Sequence, residues 1–430
     1  MRNGPPFDGE RRGDGRVRLA NAAIPAVFNE ALPGGDLMLA DIVIDGDRIA
    51  SVTPASGSII GARDCGGGIV VPAFVDMHTH LDKGHIAPRT ANPDGTFAAA
   101  LAATGEDRRA FWTAEDVAAR MEFALSTAYA HGTAAIRTHI DSAAPQDRIS
   151  WPVFAAMKER WAGRITLQGS ALTAIEQLPD DLGAHFDIVT EHGGIVGAVM
   201  HTVAGREAKL RALLEEAEAR GLDVDLHVDE SLDPARNDLA LVAAEALRIG
   251  FSGTITCGHC CTLMAMDDAT ANRTLDAVAE AGLAIVSLPM CNMYLQDRHA
   301  GRTPRIRGGT LVHEMRARGI PVAIASDNTR DPFYAYGDLD MAEVWREATR
   351  ILHLDHPVGD WPAAFSAAPA AIMGLADRDK IAPGAVADLV IFPARRWDEL
   401  MSRPHMDRTI IRGGAVIEAT LPDYRELAVP

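Results

Sequence analysis

The stretch VVPAFVDMHTHLDKG, residues 70–84, joins a run of apolar residues to two histidines that stand one residue apart. Side chains two positions apart on a β-strand point to the same face, so His78 and His80 project together from the strand end. Two adjacent imidazoles are an awkward choice for packing, but they can hold a metal ion from one side. The stretch therefore predicts a buried strand that carries part of a metal site.

Seven more strand-like runs follow along the chain. They are AAIRTHID (134–141), RITLQGSAL (164–172), IVGAVMH (195–201), DVDLHVDE (223–230), GTITCGH (253–259), AIVSLP (284–289) and PVAIASDN (321–328). Helical segments such as Thr113 to Gly132 and Glu207 to Gly221 separate most of them. Eight strands alternating with helices favour a closed α/β barrel of the (β/α)8, or TIM, type. A doubly wound open sheet is the alternative, but no Gly-rich phosphate motif follows any strand.

The two ends of the chain differ from this middle part. Short strand-like runs with an Asp-Gly turn occupy residues 17–73, and similar runs return near the carboxyl end. We therefore expect a small sheet domain assembled from residues 17–73 and 383–430, and a catalytic barrel over residues 74–382. Residues 1–16 are polar and rich in glycine and proline, and we interpret them as a flexible leader.

Composition excludes several classes of partner. The formal net charge of −18 disfavours nucleic acid and anionic membranes, because phosphate binding needs clustered lysine and arginine. No apolar run is long enough to span a membrane. Five cysteines are too few and too odd in number for a disulfide framework, so we expect a cytoplasmic protein. We further expect a homo-oligomer that acts on a small molecule.

Polar side chains collect where the predicted strands end. They are His78 and His80, His139 and Asp141, His201, His227 with Asp229 and Glu230, His259, Asn292, and Asp327 with Asn328. In barrels of this type the carboxyl ends of the strands build the active site. A single histidine there is more often structural, but so many buried polar groups together are hard to explain by packing.

These residues predict a metal-dependent hydrolytic site. His78, His80 and His227 supply imidazole nitrogens and Asp327 a carboxylate oxygen, a donor set that suits one divalent ion, zinc or Fe(II). Water beside such an ion becomes a nucleophile near neutral pH. Glu230 is the best candidate to transfer its proton, while His259 and Asp327 stabilise the tetrahedral centre.

Motifs along most of the chain strengthen this interpretation. PAFVDMHTHLDK, RTHID, LHVDE, GHC, PMCNMYLQDR and SDNTRDPFYAYG occur in this order. With these motifs the chain resembles the amidohydrolase superfamily, and within it the bacterial cytosine deaminase-like group. The resemblance implies a distorted barrel with a β-sandwich from both chain ends. It also implies one ion held by His78, His80, His227 and Asp327, with Glu230 as proton shuttle and His259 polarising the attacking water.

The resemblance further implies hydrolytic deamination of an amino-substituted nitrogen heterocycle, but two departures leave the ring open. Cytosine deaminases of this group carry FPQ after strand three, where this chain has Thr173 and Ala174; Gln177 replaces that glutamine only if the loop is repositioned. Asn328 stands where those enzymes have a second acid. Thr173, Gln177, His201, Asn292 and Asn328 are the predicted substrate-binding residues.

Other interpretations stay open beside this one. The substrate is a cytosine-like pyrimidine or a triazine, or the enzyme instead cleaves a cyclic amide, an amidine or an N-alkylamino-triazine bond. A non-enzymatic binder is disfavoured because every ligand and Glu230 are retained. Lys83 is either an electrostatic group of the site or a solvated loop lysine, and CGHCC (257–261) is a weak candidate for a zinc or redox motif.

Overall fold

The computed structural model describes residues 16–32, 34–375 and 377–427. Apart from Arg16, the leader predicted for residues 1–16 lies outside the described residues. Within those described ranges, no helix combines the length and the apolar character that crossing a membrane requires.

Strands and helices alternate through the middle of the chain and strands dominate its ends. The strands are β1 Val17–Pro25, β2 Leu37–Asp45, β3 Arg48–Pro54, β4 Arg63–Asp64, β5 Val70–Pro72, β6 Phe74–Thr79, β7 Thr133–Asp141, β8 Thr166–Leu172, β9 Val196–Val199, β10 Val224–Val228, β11 Ile255–His259, β12 Ala284–Ser287, β13 Val322–Ile324, β14 Leu389–Ile391, β15 Thr409–Arg412 and β16 Ala415–Val416. The helices are α1 Phe97–Phe111, α2 Ala114–His131, α3 Asp147–Arg160, α4 Gly183–Glu191, α5 Arg206–Arg220, α6 Asp238–Ile249, α7 Asp268–Glu280, α8 Pro289–Leu295, α9 Val312–Ala317, α10 Met341–Leu352, α11 Ala367–Ile372 and α12 Trp397–Ser402. The two helices predicted from the sequence are confirmed as α2 and α5.

The eight predicted strands of the middle part are β6 to β13, and they form the barrel. They make a sheet in the order β6-β7-β8 and a sheet in the order β13-β12-β11-β10-β9, with parallel pairing between neighbours whose register is known. Parallel bridges join the two sheets at both edges, between Ser170 and Ile195 and between Thr79 and Asp327. The ring is thus complete, and its interruption into two sheets makes it a distorted (β/α)8 barrel.

Strands from both ends of the chain form two further sheets. One has the order β3-β2-β1-β4 and the other the order β16-β15-β14-β5, so the second combines residues before and after the barrel. The chain divides into two compact units: one comprises residues up to Val75, Tyr129–Ala134 and Leu354–Thr420, and the other Asp76–Ala128, Ala135–His353 and the residues from Leu421. The exact domain boundaries expected from the sequence stay a prediction.

Hydrophobic burial explains why the barrel strands form where they do. Every residue of β6, β10, β11 and β12 is buried, including the histidines. Strands covered on both faces are expected in a parallel barrel, where helices pack outside and side chains fill the interior. The polar side chains that interrupt this apolar pattern therefore indicate where the candidate active site lies.

Candidate active site

Four side chains that the sequence predicts as metal ligands converge at the carboxyl ends of the barrel strands. Nε2 of His78 lies 3.2 Å from Nε2 of His227, which lies 3.5 Å from Nε2 of His80. Oδ1 of Asp327 lies 3.2 Å from Nε2 of His80 and 3.7 Å from Nε2 of His78. Ligands bonded at roughly 2.1 Å to one ion stand roughly 3.0 to 3.5 Å apart, so this spacing suits a single divalent cation.

Burial keeps the three imidazoles in the form that binds metal. It lowers the pKa of His78, His80 and His227 well below the ordinary value of 6.5, so each ring is neutral and offers a lone pair. Among the described residues, neither carboxylate oxygen of Asp327 has a hydrogen-bond partner. A buried carboxylate without partners is costly unless a cation binds it. The residues therefore fit a metal ion.

A glycine beside His78 makes room for its ring. Gly258 lies in β11, and a Cβ placed on it would come within 2.7 Å of Cε1 and 3.0 Å of Nδ1 of His78. Contacts this short are not tolerated in a close-packed interior. Glycine at this position is therefore part of the geometry that brings His78 to the other ligands.

Asp327 is brought to the histidines by its own backbone and by β6. Its N–H donates to the His78 carbonyl over 2.8 Å, and its carbonyl accepts a 2.7 Å hydrogen bond from the Thr79 hydroxyl. The buried Asp76 carboxylate accepts hydrogen bonds from the N–H and the hydroxyl of Ser326. Asp327 has a φ of +65°, a left-handed conformation that persists only where surrounding contacts enforce it. These hydrogen bonds supply that enforcement.

His259 and Asn292 form a hydrogen-bonded pair beside the ligands. The Asn292 amide donates to Nδ1 of His259 over 3.0 Å. Burial lowers the pKa of His259 to about 4, so the ring is neutral, and its proton lies on Nε2 because Nδ1 is the acceptor. Nε2 has no hydrogen-bond partner among the described residues. One ring nitrogen of His259 lies within 4.8 Å of a ring nitrogen of His78 and of one of His227. His259 can therefore donate a hydrogen bond from Nε2 toward the space beside these two side chains.

Glu230 has the properties of a proton carrier. Burial raises the pKa of its carboxyl well above the usual range, the charge of Asp327 adds to that rise, and the Lys83 ammonium opposes it. Oε1 lies 3.4 Å from the Asn292 amide nitrogen and 3.5 Å from Nδ1 of His259. A carboxyl with a raised pKa can accept and release a proton near neutral pH.

A cavity of about 400 Å³ lies over these groups, a size that suits a small-molecule site. His80, His227, Glu230, His259 and Asp327 line it together with four of the five predicted substrate-binding residues, Thr173, Gln177, His201 and Asn328. The fifth, Asn292, is fully buried, and its amide contacts Glu230 and His259 instead. That these five residues bind substrate stays a prediction.

Some residues at the cavity were not singled out by the sequence. Phe97 and Phe333 line it, and their rings make an edge-to-face contact at 5.5 Å. Phe97 is in the first turn of α1, after the N-cap Thr96, a helix that sequence patterns did not predict. Lys83, whose role was left open, is 7 % exposed and lines the cavity.

The cysteines of CGHCC form no disulfide. Cys257, Cys260 and Cys261 are free and buried, and burial raises the pKa of each thiol well above its usual value. Within the described residues, none of the three belongs to a group of side chains spaced to hold a metal ion, so we interpret them as packing residues near His259.

Comparisons with known proteins agree with this geometry. The amidohydrolase family profile matches residues 184–421. The chain is 52% identical over 421 residues to a pterin deaminase from Rhizobium rhizogenes, covering 96% of each protein. It is similar to the structure of 5-methylcytosine deaminase from Klebsiella pneumoniae liganded with 5-fluorocytosine, with a TM-score of 0.80, 25% identity, and coverage of 95% of this chain and 98% of that one. N-isopropylammelide isopropylaminohydrolase from Burkholderia multivorans shares the fold, with a TM-score of 0.73, 22% identity, and coverage of 93% and 97%.

Proposed function

This chain belongs to the amidohydrolase family and is a hydrolase that deaminates nitrogen heterocycles, and from this premise we propose that its substrate is a pterin, a 2-amino-4-oxopteridine. The observation that carries the choice of ring is the 52% identity to a pterin deaminase over nearly the full length of both proteins. The cavity of about 400 Å³ supports it, because it has room for a bicyclic ring. The reaction exchanges the amino group on C2 for oxygen and releases ammonia.

We propose that one divalent ion, zinc or Fe(II), is held by His78, His80, His227 and Asp327. Such an ion supplies Lewis acidity and lowers the pKa of water toward neutrality. The distances described above support this assignment, because the four side chains are close enough together to share one ion, and their burial would keep bulk water away from it. The metal content of the purified protein identifies the ion.

The remaining residues transfer protons and hold the reacting atoms. Glu230 takes a proton from water as the water oxygen bonds to C2, and it gives that proton to N1, the ring nitrogen that is double-bonded to C2 in a pterin. His259 donates a hydrogen bond from its Nε2–H to the oxygen on the tetrahedral carbon. When the bond from C2 to the amino nitrogen breaks, the second proton of the water goes to the leaving group, so that ammonia departs and C2 keeps a carbonyl. Asn292 positions both Glu230 and His259 through its amide.

A substrate panel tests the proposal. With metal-loaded protein, pterin should release ammonia and give pteridine-2,4-dione, with a kcat/KM at least about 100-fold above that of cytosine or an N-alkylamino-triazine. Ammonia release and the ultraviolet spectrum of the product measure this. If pterin is untouched while another ring in the panel is hydrolysed, the proposed substrate is wrong.

The proton shuttle is tested by Glu230→Gln, which keeps the shape of the side chain and removes its acid–base chemistry. We expect kcat to fall roughly 10²- to 10⁴-fold while the metal content is unchanged. Glu280→Gln makes the same chemical change on the exposed end of α7 and should leave kcat at the wild-type value. An active Glu230→Gln enzyme would contradict the assigned role.

A further inference from the structure

Beside the four predicted metal ligands lies another group of side chains that are spaced to hold a cation. One oxygen of Glu230, one oxygen of Asp327 and the sulfur of Cys291 all lie within 4.8 Å of one another. Cys291 and Asp327 are buried, and the side chain of Glu230 is 13 % exposed. Of the three residues, only Asp327 is also a predicted ligand of the catalytic ion, so this group is a separate donor set.

Asp327 has a carboxylate oxygen that the three histidines do not face. Its Oδ1 makes the contacts of 3.2 Å to His80 and 3.7 Å to His78. Its Oδ2 is buried as well, and it has no hydrogen-bond partner among the described residues. A buried carboxylate oxygen without a partner is costly. Since each oxygen of a carboxylate can bind its own cation, Oδ2 is available to a second ion while Oδ1 serves the first.

α8 brings the sulfur to this place. Cys291 lies in that helix directly before Asn292, whose amide is 3.4 Å from Oε1 of Glu230. The thiol donates a hydrogen bond to Oδ1 of Asn328 over 3.3 Å. Among the described residues, the other four cysteines belong to no group that is spaced to hold a metal ion. Sulfur is a soft donor that favours zinc over magnesium or manganese, so a soft cation fits the group best.

The spacing is close to that of a mixed sulfur and oxygen zinc site. Zinc bonds of about 2.3 Å to sulfur and about 2.0 Å to oxygen place the two donors about 3.5 Å apart in a tetrahedral site. The limit of 4.8 Å exceeds this by about 1.3 Å, a gap that rotation of the Glu230 side chain can close. Glu230 and Asp327 also line the cavity, which gives an ion a route to the group.

We propose that Glu230, Cys291 and Asp327 form a second, inhibitory site for a soft divalent cation such as zinc. The Cys291 thiol releases its proton to solvent as the sulfur binds the ion, and so does the Glu230 carboxyl when it is protonated. Two cations that share the Asp327 carboxylate repel each other, so the second ion binds more weakly than the first and enters when metal is in excess.

The inhibition rests on the proposed function, in which Glu230 transfers the proton of water to the ring. An ion that holds the Glu230 carboxylate removes that acid–base group from the reaction. The same ion lies against the wall of the cavity, so it also competes with the substrate for space. Binding of the second ion itself depends only on the three side chains and not on the identity of the substrate.

Metal stoichiometry tests the site without substrate. Metal-loaded protein is dialysed against increasing concentrations of buffered free zinc, and total bound metal is counted per chain. Wild-type protein should bind a second ion, with a dissociation constant at least about tenfold above that of the first. Cys291→Ser keeps a donor for the Asn328 oxygen but lacks the thiolate. It should bind the second ion at least about 100-fold more weakly, because loss of a ligand costs at least as much as loss of an outer partner.

Cobalt shows whether the sulfur is bound. A thiolate on Co²⁺ gives a sulfur-to-cobalt charge-transfer band in the near ultraviolet, whereas three imidazoles and a carboxylate give none. The band should appear with the second equivalent of Co²⁺ in wild-type protein and be absent in Cys291→Ser. Glu230→Gln should need more cobalt to develop it, because an amide oxygen is a poorer ligand than a carboxylate. Cys65→Ser is the matched control, because Cys65 is not in the group, and it should behave as wild type.

Inhibition is measured as a ratio within each variant, so that a change in the basal rate does not matter. The kcat/KM in excess zinc is divided by the value at one ion per chain. This ratio should fall at least about tenfold in wild-type protein and in Cys65→Ser, and less than about twofold in Cys291→Ser. Excess Mn²⁺ should not inhibit wild-type protein, because a hard ion gains little from the sulfur.

The outcomes separate this inference from the proposed function. If pterin is untouched but another ring of the panel is hydrolysed, the proposed substrate fails and that ring serves to measure the inhibition. If wild-type protein never binds more than one ion, or the cobalt band persists in Cys291→Ser, the second site is overturned whatever the substrate. A second ion that leaves kcat/KM unchanged overturns the inhibitory role. Should circular dichroism show that Cys291→Ser is misfolded, Cys291→Ala and the cobalt titration of Glu230→Gln decide the question.

Discussion

Gly258 shows how one missing side chain organises the candidate metal site. Its backbone does not require glycine, since its φ is not in the left-handed region, but a Cβ there would meet the His78 ring at 2.7 Å. His78 is fully buried and cannot swing into solvent to avoid the contact. Glycine is therefore needed at position 258 to leave room for the His78 ring and not to allow a left-handed backbone conformation.

We expect Gly258→Ala to weaken metal binding roughly 10- to 100-fold, as is usual when a residue that orients a ligand is changed. Overpacking should also lower the free energy of unfolding by about 1–3 kcal/mol. Metal content after dialysis against a buffered metal solution measures the first effect. Gly35→Ala is the control, because a Cβ at Gly35 meets nothing within 4 Å. Wild-type metal affinity in Gly258→Ala would show that the position of the His78 ring is not critical.

Ligand identities were predictable from spacing, but the way the chain presents them was not. HTH and LHVDE place His78, His80 and His227 at strand ends, where the structure has them. The backbone at Asp327 and His259, however, has φ values of +65° and +70°. Such conformations of non-glycine residues depend on contacts made by distant segments, and local sequence carries no signal for them.

At the level of elements, the eight-strand alternation was a strong signal and the short helices after strands were a weak one. All eight predicted barrel strands occur, because long alternation of apolar strands and amphipathic helices leaves few other folds. Asn292 was expected only to follow strand seven; it lies in α8, a seven-residue helix that begins at Pro289. A helix this short is stabilised by packing rather than by its own residues, which explains why periodicity did not reveal it.

Arg120 links α2 to the loop after β6. Its side chain is buried, its Nη2 lies 2.8 Å from Asp116, and its guanidinium lies 5.0 Å from the Trp112 ring centre. Its two hydrogen bonds to the carbonyls of Asp82 and Gly84 connect α2 to the loop that follows β6. Removing it leaves two buried carbonyls without their donor.

We expect Arg120→Met to lower the free energy of unfolding by about 3 kcal/mol, as for other buried ionic groups that lose a partner. Urea unfolding measures this effect. Arg120→Lys keeps the charge without the planar fork and should recover only part of the loss.

Arg211→Met is the matched control for Arg120. Arg211 on α5 makes charged hydrogen bonds to Glu245 and Glu207, but its side chain is 37 % exposed. Ion pairs of this kind contribute about 1 kcal/mol or less, so the substitution should have only a small effect on unfolding. Equal effects of both substitutions would contradict the role given to Arg120.

At the scale of the whole molecule, the candidate metal site joins parts of the sequence that are far apart. His78 and Asp327 come from the first and last strands of the barrel, and His227 comes from the fifth. An ion that bridges them closes the ring of strands through side chains as well as through the backbone bridge between Thr79 and Asp327. Metal binding should therefore stabilise the folded chain by mass action, by about 2.7 kcal/mol when the free ion is at 100 times its dissociation constant.

The same residues make this stabilisation depend on pH. Burial lowers the pKa of His78, His80 and His227 in the folded chain, whereas the unfolded chain has the ordinary value of 6.5. Below pH 6.5 the unfolded state therefore binds more protons than the folded state, and the free energy of unfolding falls as the solution is acidified. Metal binding adds to this dependence because protons compete with the ion for the imidazoles.

Chelation and acidification should thus act in the same direction. Treatment with a strong chelator should abolish deamination and lower the melting temperature at pH 7.5, and added Zn²⁺ or Fe²⁺ should restore both. Between pH 6.5 and 5 the melting temperature should fall further in the metal-loaded protein than in His227→Ala, which binds the ion poorly and has one buried imidazole fewer. His356→Ala is the control, because the side chain of His356 is 90 % exposed and its loss should leave metal content and the pH profile unchanged. If neither the chelator nor acidification changes the melting temperature of the wild-type protein, the three imidazoles and Asp327 do not hold an ion.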